Sequence, residues 1–244
     1  AFALPLLARL NPQHFSVQSL ILCPTRELAS QVADEIRRLA RYQPNIKVVT
    51  LCGGQSIGPQ IGSLEHGAHV VVGTPGRIKD HLRKETLSLA NVNTLVLDEA
   101  DRMLEMGFID DIETIITATP SSRQTLLFSA TYPDNIQSLS ARFQRAPQRV
   151  SVESLHTEHD IAQRFFVCQK SDRLPALVRL LAHFKPQTAV VFCNTKELVR
   201  EVCAYLGQSG IYALALHGDM EQRDRDQVLI QFKHSSCTIL VATD

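Results

Sequence analysis

From residue 19 onward the chain alternates short apolar runs with longer stretches in which apolar positions return every three or four residues. The runs at residues 19–23, 47–52, 69–73, 94–98 and 125–128 have the length and β-branched content of buried strands. After the first of them Leu28, Val32, Ile36 and Leu39 line one face while Glu35, Arg37, Arg38 and Arg41 line the other, the pattern of an amphipathic helix. Strands alternating with helices predict an α/β fold with a mostly parallel, doubly wound sheet and right-handed crossovers. The rhythm weakens near Arg149, and the polar stretch from Glu153 to Asp160 has no period, so a linker is expected over 151–161. It then resumes, with strands expected near 164–168, 189–193, 212–216 and 238–242 and helices near 173–184, 196–208 and 221–232. The expected organisation is therefore a first lobe over 1–150, the linker, and a second α/β lobe over 162–244.

At 244 residues the chain can bury a core in each of two lobes. Its 25 basic and 25 acidic residues balance, so any nucleic-acid contact must come from local placement of charge. No apolar run is long enough to span a bilayer. The six cysteines form no CxxC or Cys/His cluster, which argues against zinc; Cys23, Cys52, Cys168 and Cys193 fall in or beside apolar runs and read as reduced, small hydrophobes of a cytoplasmic protein. The nine histidines are dispersed, and none is assigned a ligand role. The start lacks an initiator Met and a basic leader, and the end coincides with the end of a strand, so a fragment cut at both ends is expected.

The chemistry gathers where strands end. Asp98, Glu99 and Asp101 follow the apolar run from Thr94 to Leu97. Carboxylates at the carboxyl end of a buried parallel strand lie on the ligand-binding rim of an open sheet, where they can face a metal and a polyphosphate. The alternative is that they simply favour the positive end of a helix dipole. Pro24-Thr25-Arg26-Glu27-Leu28-Ala29 opens a helix whose N-terminus and Arg26 suit a phosphate, or else is an ordinary helix start capped by Thr25. Gly53-Gly54 permits close approach of a ligand or merely turns the chain. Thr74-Pro75-Gly76-Arg77 repeats the strand-to-helix junction, with Thr74 at the cap and Pro75 at the first helical position. Ser129 and Thr131 can reach the neighbouring acids, or Thr131 can cap a helix starting near Pro133. In the second half the run from Val190 to Thr195, Leu216-His217-Gly218-Asp219 and Ala242-Thr243-Asp244 close strands, and the charged run from Glu221 to Asp226 reads as a solvated helix face.

Taken in order, these motifs, with Gln222 and Arg225, resemble the series of the DEAD-box RNA helicases, and Asp98-Glu99-Ala100-Asp101 matches the namesake tetrad letter for letter. Leu51-Cys52-Gly53-Gly54-Gln55 and the run from Gln222 to Asp226 look like the bacterial DbpA subfamily, which is associated with ribosomal RNA. The resemblance implies two RecA-like lobes, ATP with Mg2+, and single-stranded RNA as partner, in a monomer. It assigns Asp98 to the metal through water, Glu99 to polarising the attacking water, and Asp101, Ser129 and Thr131 to linking nucleotide and lobe closure. Thr25, Arg26, Gly54, Thr74 and Arg77 of the first lobe and Arg225 and Thr243 of the second are assigned to RNA backbone, which would make binding indifferent to sequence. The family's phosphate loop, its adenine-reading motif and its second-lobe arginines have no counterpart here, so the implied activity is that of a longer protein and the chain alone is expected to be inactive. Two other readings remain: a non-catalytic RNA clamp, for which both Asp98 and Glu99 would be superfluous, and a related DNA translocase.

Overall fold

The computed structural model describes residues 1–152 and 161–243. The linker expected over 151–161 and Asp244 fall wholly or largely outside them. The chain divides into two compact units, Ala1–Ser151 and Val152–Asp244.

The first unit runs α1 (Ala3–Ala8), β1 (Ser19–Leu22), α2 (Arg26–Ala40), β2 (Val48–Leu51), α3 (Gly58–Glu65), β3 (Val70–Gly73), α4 (Pro75–Arg83), β4 (Thr94–Leu97), α5 (Ala100–Glu105), α6 (Ile109–Thr117), β5 (Gln124–Leu127) and α7 (Asp134–Phe143). Its sheet is parallel throughout, in the order β2-β3-β1-β4-β5. Successive side chains of a strand point to opposite faces, so both faces of these apolar strands need cover. Leu20, Leu22, Leu95 and Leu97 pack on one side with Ile78, Met103, Ile112, Ile115 and Leu139. Ile21, Val70, Val72 and Val96 pack on the other with Leu6, Leu7, Ala29, Ala33 and Ile36. The buried line of α2 is thus Ala29, Ala33, Ile36 and Ala40, whereas Leu28, Val32 and Leu39, expected to lead it, flank the contact half-buried. Small residues at the centre let the helix backbone approach the sheet, and the larger chains spread along its margins.

The second unit comprises α8 (Arg173–Phe184), preceded by a single 3-10 turn, then β6 (Ala189–Cys193), α9 (Lys196–Gln208), β7 (Leu214–Leu216), α10 (Gln222–Lys233) and β8 (Ile239–Thr243). Its parallel sheet has the order β6-β8-β7, placing the last strand in the centre. One cluster, built on Cys193, Val199, Val202, Leu206, Ile239 and Val241, joins the sheet to α9 and to the inner side of α8. Two expectations fail here. Residues 164–168 form no strand, because they pair with no neighbour among the described residues; Phe165 and Val167 are 89% and 104% exposed. Cys168 is accordingly exposed rather than packed, unlike Cys23, Cys52 and Cys193.

Candidate functional site

The carboxyl ends of all five strands of the first unit are tied in a row by four donors, each one residue past its strand. Thr74 N–H donates to Leu51 O (3.1 Å), Cys23 N–H to Gly73 O (3.0 Å), Asp98 N–H to Leu22 O (3.0 Å) and Phe128 N–H to Leu97 O (2.8 Å). This ladder sets five loops at one level along one edge. In spatial order the edge carries Gly53-Gly54, Thr74 to Arg77, Thr25-Arg26, Asp98 to Asp101, and Ser129 to Thr131. The sheet order thus gathers the motif residues of the first unit, with the two glycines and two arginines on one side and the acids and hydroxyls on the other.

The acids are held by backbone as much as by charge. Asp98 N–H is bound to β1 and Ala100 N–H donates to Phe128 O (3.0 Å), so Glu99, caught between two fixed neighbours, adopts φ 51° and ψ 53°. That left-handed conformation costs a non-glycine residue on the order of 1 kcal/mol, and it leaves the Glu99 carboxylate exposed while Ala100 is buried. Asp98 is half-buried; loss of hydration and the adjacent Glu99 raise its pKa, partly offset by a hydrogen bond from the Glu99 backbone. Asp101 shows the opposite balance. Burial would raise its pKa, but the Thr131 hydroxyl (2.8 Å) and N–H (3.0 Å) both donate to Oδ2, Arg102 N–H donates to Oδ1 (3.1 Å), and together they hold it below the usual carboxylate range. Ser129 adds slightly to this lowering, yet its hydroxyl geometry falls short of a formed hydrogen bond, so Thr131 carries the contact. Thr131 therefore does not cap a helix: α7 starts at Asp134 with Pro133 before it.

On the other side of the edge, the Thr25 hydroxyl accepts from Leu28 N–H (3.2 Å) as an N-cap, which leaves Arg26 at the helix start. Gly54 has φ +73°, and a side chain there would run into the Arg26 guanidinium. Arg77 Nη2 donates to Gln55 O (2.9 Å), while its buried Nη1 has no hydrogen-bond partner among the described residues. Thr74 has the extended backbone of an N-cap without using its hydroxyl for it.

In the second unit Thr243 ends β8 opposite Cys193, and Arg225 lies in the first turn of α10, half-buried rather than on a freely solvated face. Asp219, after β7, accepts from Lys196 Nζ (2.9 Å) and Arg200 Nη2 (3.3 Å), and the Lys196 bond leads in holding its pKa down.

Two features escaped the sequence reading. Cys193-Asn194-Thr195-Lys196-Glu197-Leu198 repeats the form of Cys23-Pro24-Thr25-Arg26-Glu27-Leu28, down to the Thr195 hydroxyl accepting from Leu198 N–H at 3.2 Å. Aligning the two halves would have exposed it. Gln60 and His81 are buried beneath the glycine turn; the signal was a polar residue on an otherwise apolar helical face, His81 lying three positions after Ile78.

Among the described residues no group of three or more His, Cys, Asp or Glu could hold a metal ion, and no helix is long and apolar enough to cross a membrane.

The chain is 53% identical over its whole length to the ATP-dependent RNA helicase DbpA of Escherichia coli K12, covering 53% of that protein. It is 43% identical to the DEAD-box ATP-dependent RNA helicase CshA of Bacillus subtilis, covering 49% of it. The chain thus spans about half the length of the curated relatives it matches. Among solved structures it is similar to S. cerevisiae Dbp5 bound to RNA and ADP BeF3 (TM-score 0.87, 27% identity, all of this chain and 62% of that one). It is also similar to a DEAD box protein from the hyperthermophile Methanococcus jannaschii (TM-score 0.60, 41% identity, 99% of this chain and 65% of that one). These likenesses bear out two RecA-like α/β lobes. The model of the Helicase conserved C-terminal domain matches residues 169–244. That of the DEAD/DEAH box helicases matches residues 1–139, over half of the sequence and all five loops of the edge, and the chain belongs to that family.

Proposed function

We propose that the chain is part of an ATP-dependent RNA helicase, which couples RNA-stimulated ATP hydrolysis to local opening of RNA structure. The observation that carries this reading is the Thr131–Asp101 hydrogen bond, which joins the ends of β4 and β5 while Asp98 and Glu99 enter no ion pair among the described residues. Burial first and the adjacent Glu99 second raise the pKa of Asp98, and with no protein cation paired to either acid among the described residues the site fits a cation. With no set of three protein ligands among the described residues, Asp98 would hold Mg2+ through water, the remaining coordination falling to water and nucleotide oxygens. When bound, the ion would neutralise phosphate charge. Glu99 presents its carboxylate to solvent at the strand end, where it can orient and accept a proton from water. Asp101 is fixed by Thr131, with Ser129 beside it, so movement of β5's end would reach the acids directly.

For the partner, Thr25, Arg26, Gly54, Thr74 and Arg77 offer backbone-directed groups along the same edge, and Arg225 and Thr243 do so in the second unit. Such contacts favour single-stranded RNA of any sequence, and the likeness to DbpA favours ribosomal RNA as a target. The free cysteines support a cytoplasmic location.

The test is Glu99→Gln in the complete protein. Nucleotide affinity should stay within about twofold, and RNA-stimulated phosphate release should fall by about a hundredfold or more, as loss of a general base does. Near-normal turnover in the variant would show that Glu99 does not act on the water, and absence of turnover in the complete parent protein would instead fit a clamp that only binds. Equal affinity for matched RNA and DNA oligomers would favour the translocase reading.

A further inference from the structure

The glycine turn is gripped from three directions. Arg26 lies over Gly54 and Arg77 holds Gln55 O from the side of the proposed RNA contact. The third grip comes from inside: Gln60 Nε2 donates to the carbonyl of Cys52, the residue just before Gly53, at 2.9 Å. Gln60 Oε1 lies 3.2 Å from His81 Nε2, and His81 Nδ1 lies 2.8 Å from Thr86 Oγ1. Gln60 and His81 are 8% and 0% exposed, so neither can touch a nucleic acid.

The proton positions follow from which groups can donate. A carbonyl only accepts, so the Gln60 nitrogen must face Cys52 and its oxygen must face the imidazole. His81 then carries its proton on Nε2, and Nδ1, at 2.8 Å, is a nearer acceptor for the single Thr86 hydroxyl proton than His81 O at 3.3 Å. Burial, aided by Arg77 and opposed by Asp80, lowers the pKa of the ring and so favours its neutral form. Every link therefore donates in one direction, from Thr86 through His81 and Gln60 to the carbonyl before the turn.

We propose that Gln60 and His81 are positioning residues, and that this one-way hydrogen-bond chain sets the Gly53-Gly54 turn for the RNA backbone. The inference rests on the assignment of Gly54 to RNA in the proposed function. It differs from a general packing role, because the chain anchors one carbonyl rather than the sheet as a whole.

Three readouts on the 244-residue chain decide the matter. Nitrogen NMR of the imidazole should report the Nε2–H tautomer at neutral pH. In Gln60→Met and His81→Leu, amide exchange at Gly53, Gly54 and Gln55 should quicken by about tenfold, as local opening does, with β1 and β4 unchanged. Affinity for labelled oligouridylate should weaken by about five- to tenfold, the scale of one hydrogen bond. His81→Gln, which returns an N–H near the Nε2 position, should recover most of both losses. The Nδ1–H tautomer, unaltered exchange in the turn, or equal failure of His81→Gln would overturn the proposal. So would a uniform loss of protection across the sheet in the milder His81→Gln. Gly54→Ala separates the two claims: if it binds RNA as the parent does, the assignment of the turn fails; if it loses RNA while the buried variants keep it, only the positioning role fails.

Discussion

Glu99 and Gly54 take up the same left-handed region for opposite reasons. Gly54 is there because the turn needs it and has no side chain to collide with Arg26; Glu99 is there because its neighbours' hydrogen bonds leave no alternative. Gly54→Ala should therefore destabilise the chain by about 1 kcal/mol through backbone strain alone, and should weaken RNA binding further by displacing the guanidinium; urea titration and fluorescence anisotropy would separate the two. Asp101 permits a prediction with a sign. Its folded pKa lies below the ordinary value, so its contribution to stability is present above the unfolded pKa, near 3.9, and is lost as pH falls through the folded value. Thr131→Val removes the strongest donor, and should cost about 1 kcal/mol near pH 7, discounted because Thr131 is exposed, and less as the pH drops below 4. A constant cost across that range would show that the hydroxyl does not act through the carboxylate.

Elements whose apolar pattern matched their burial were legible in the sequence. α8 and α9 were read at their observed bounds, and the first-unit strands within a residue or two, because a buried parallel strand leaves a run of Val, Ile and Leu that little else produces. Residues 164–168 misled because Phe165-Phe166-Val167 has strand composition, whereas a strand is defined by a neighbour that sequence composition does not reveal. The site was legible in its motifs but not in its wiring: Asp101, Ser129 and Thr131 fall together by sequence, while the one hint at Gln60 and His81, a polar residue on the apolar face of Ile78, does not reveal its partner. His69 belongs to the same class. It is fully buried before β3, its Nδ1 accepting from Lys47 N–H (3.0 Å) and its Nε2 facing Pro12 O (3.2 Å), with Phe15 tilted against the ring. Burial lowers its pKa, with His14 and Lys47 adding to the effect and Pro12 O opposing it, so this part of the stability is full above about pH 6.5 and declines as pH falls below it. His69→Ala should cost about 3 kcal/mol at pH 8, from the cavity and two orphaned backbone groups, and should flatten the loss of stability between pH 7 and 5. Urea unfolding at the two extremes checks both statements.

At the scale of the molecule the two units are unequally built. Helices cover both faces of the first sheet, whereas in the second Val190 and Phe192 of β6 are 45% and 69% exposed, and no residue of α8 is fully buried. Amide exchange should therefore show its slowest sites in β1, β3 and β4, with second-unit protection weaker and centred on β8 and α9; slower exchange in β6 than in β1 would contradict this. The row of hydrogen bonds at the carboxyl ends of the first sheet also bears on how such a chain can change length. One residue added between a strand and its motif would push a carboxylate or arginine about 3.3 Å along, past the reach of its partner. The returns from helix to strand, such as residues 41–47 and 84–93, lie at the opposite edge and carry none of the ladder. Insertions and deletions should accumulate there and be purged from the five junctions, so the spacing of the motifs is free in the gaps between them and frozen at the short junction that joins each to its strand.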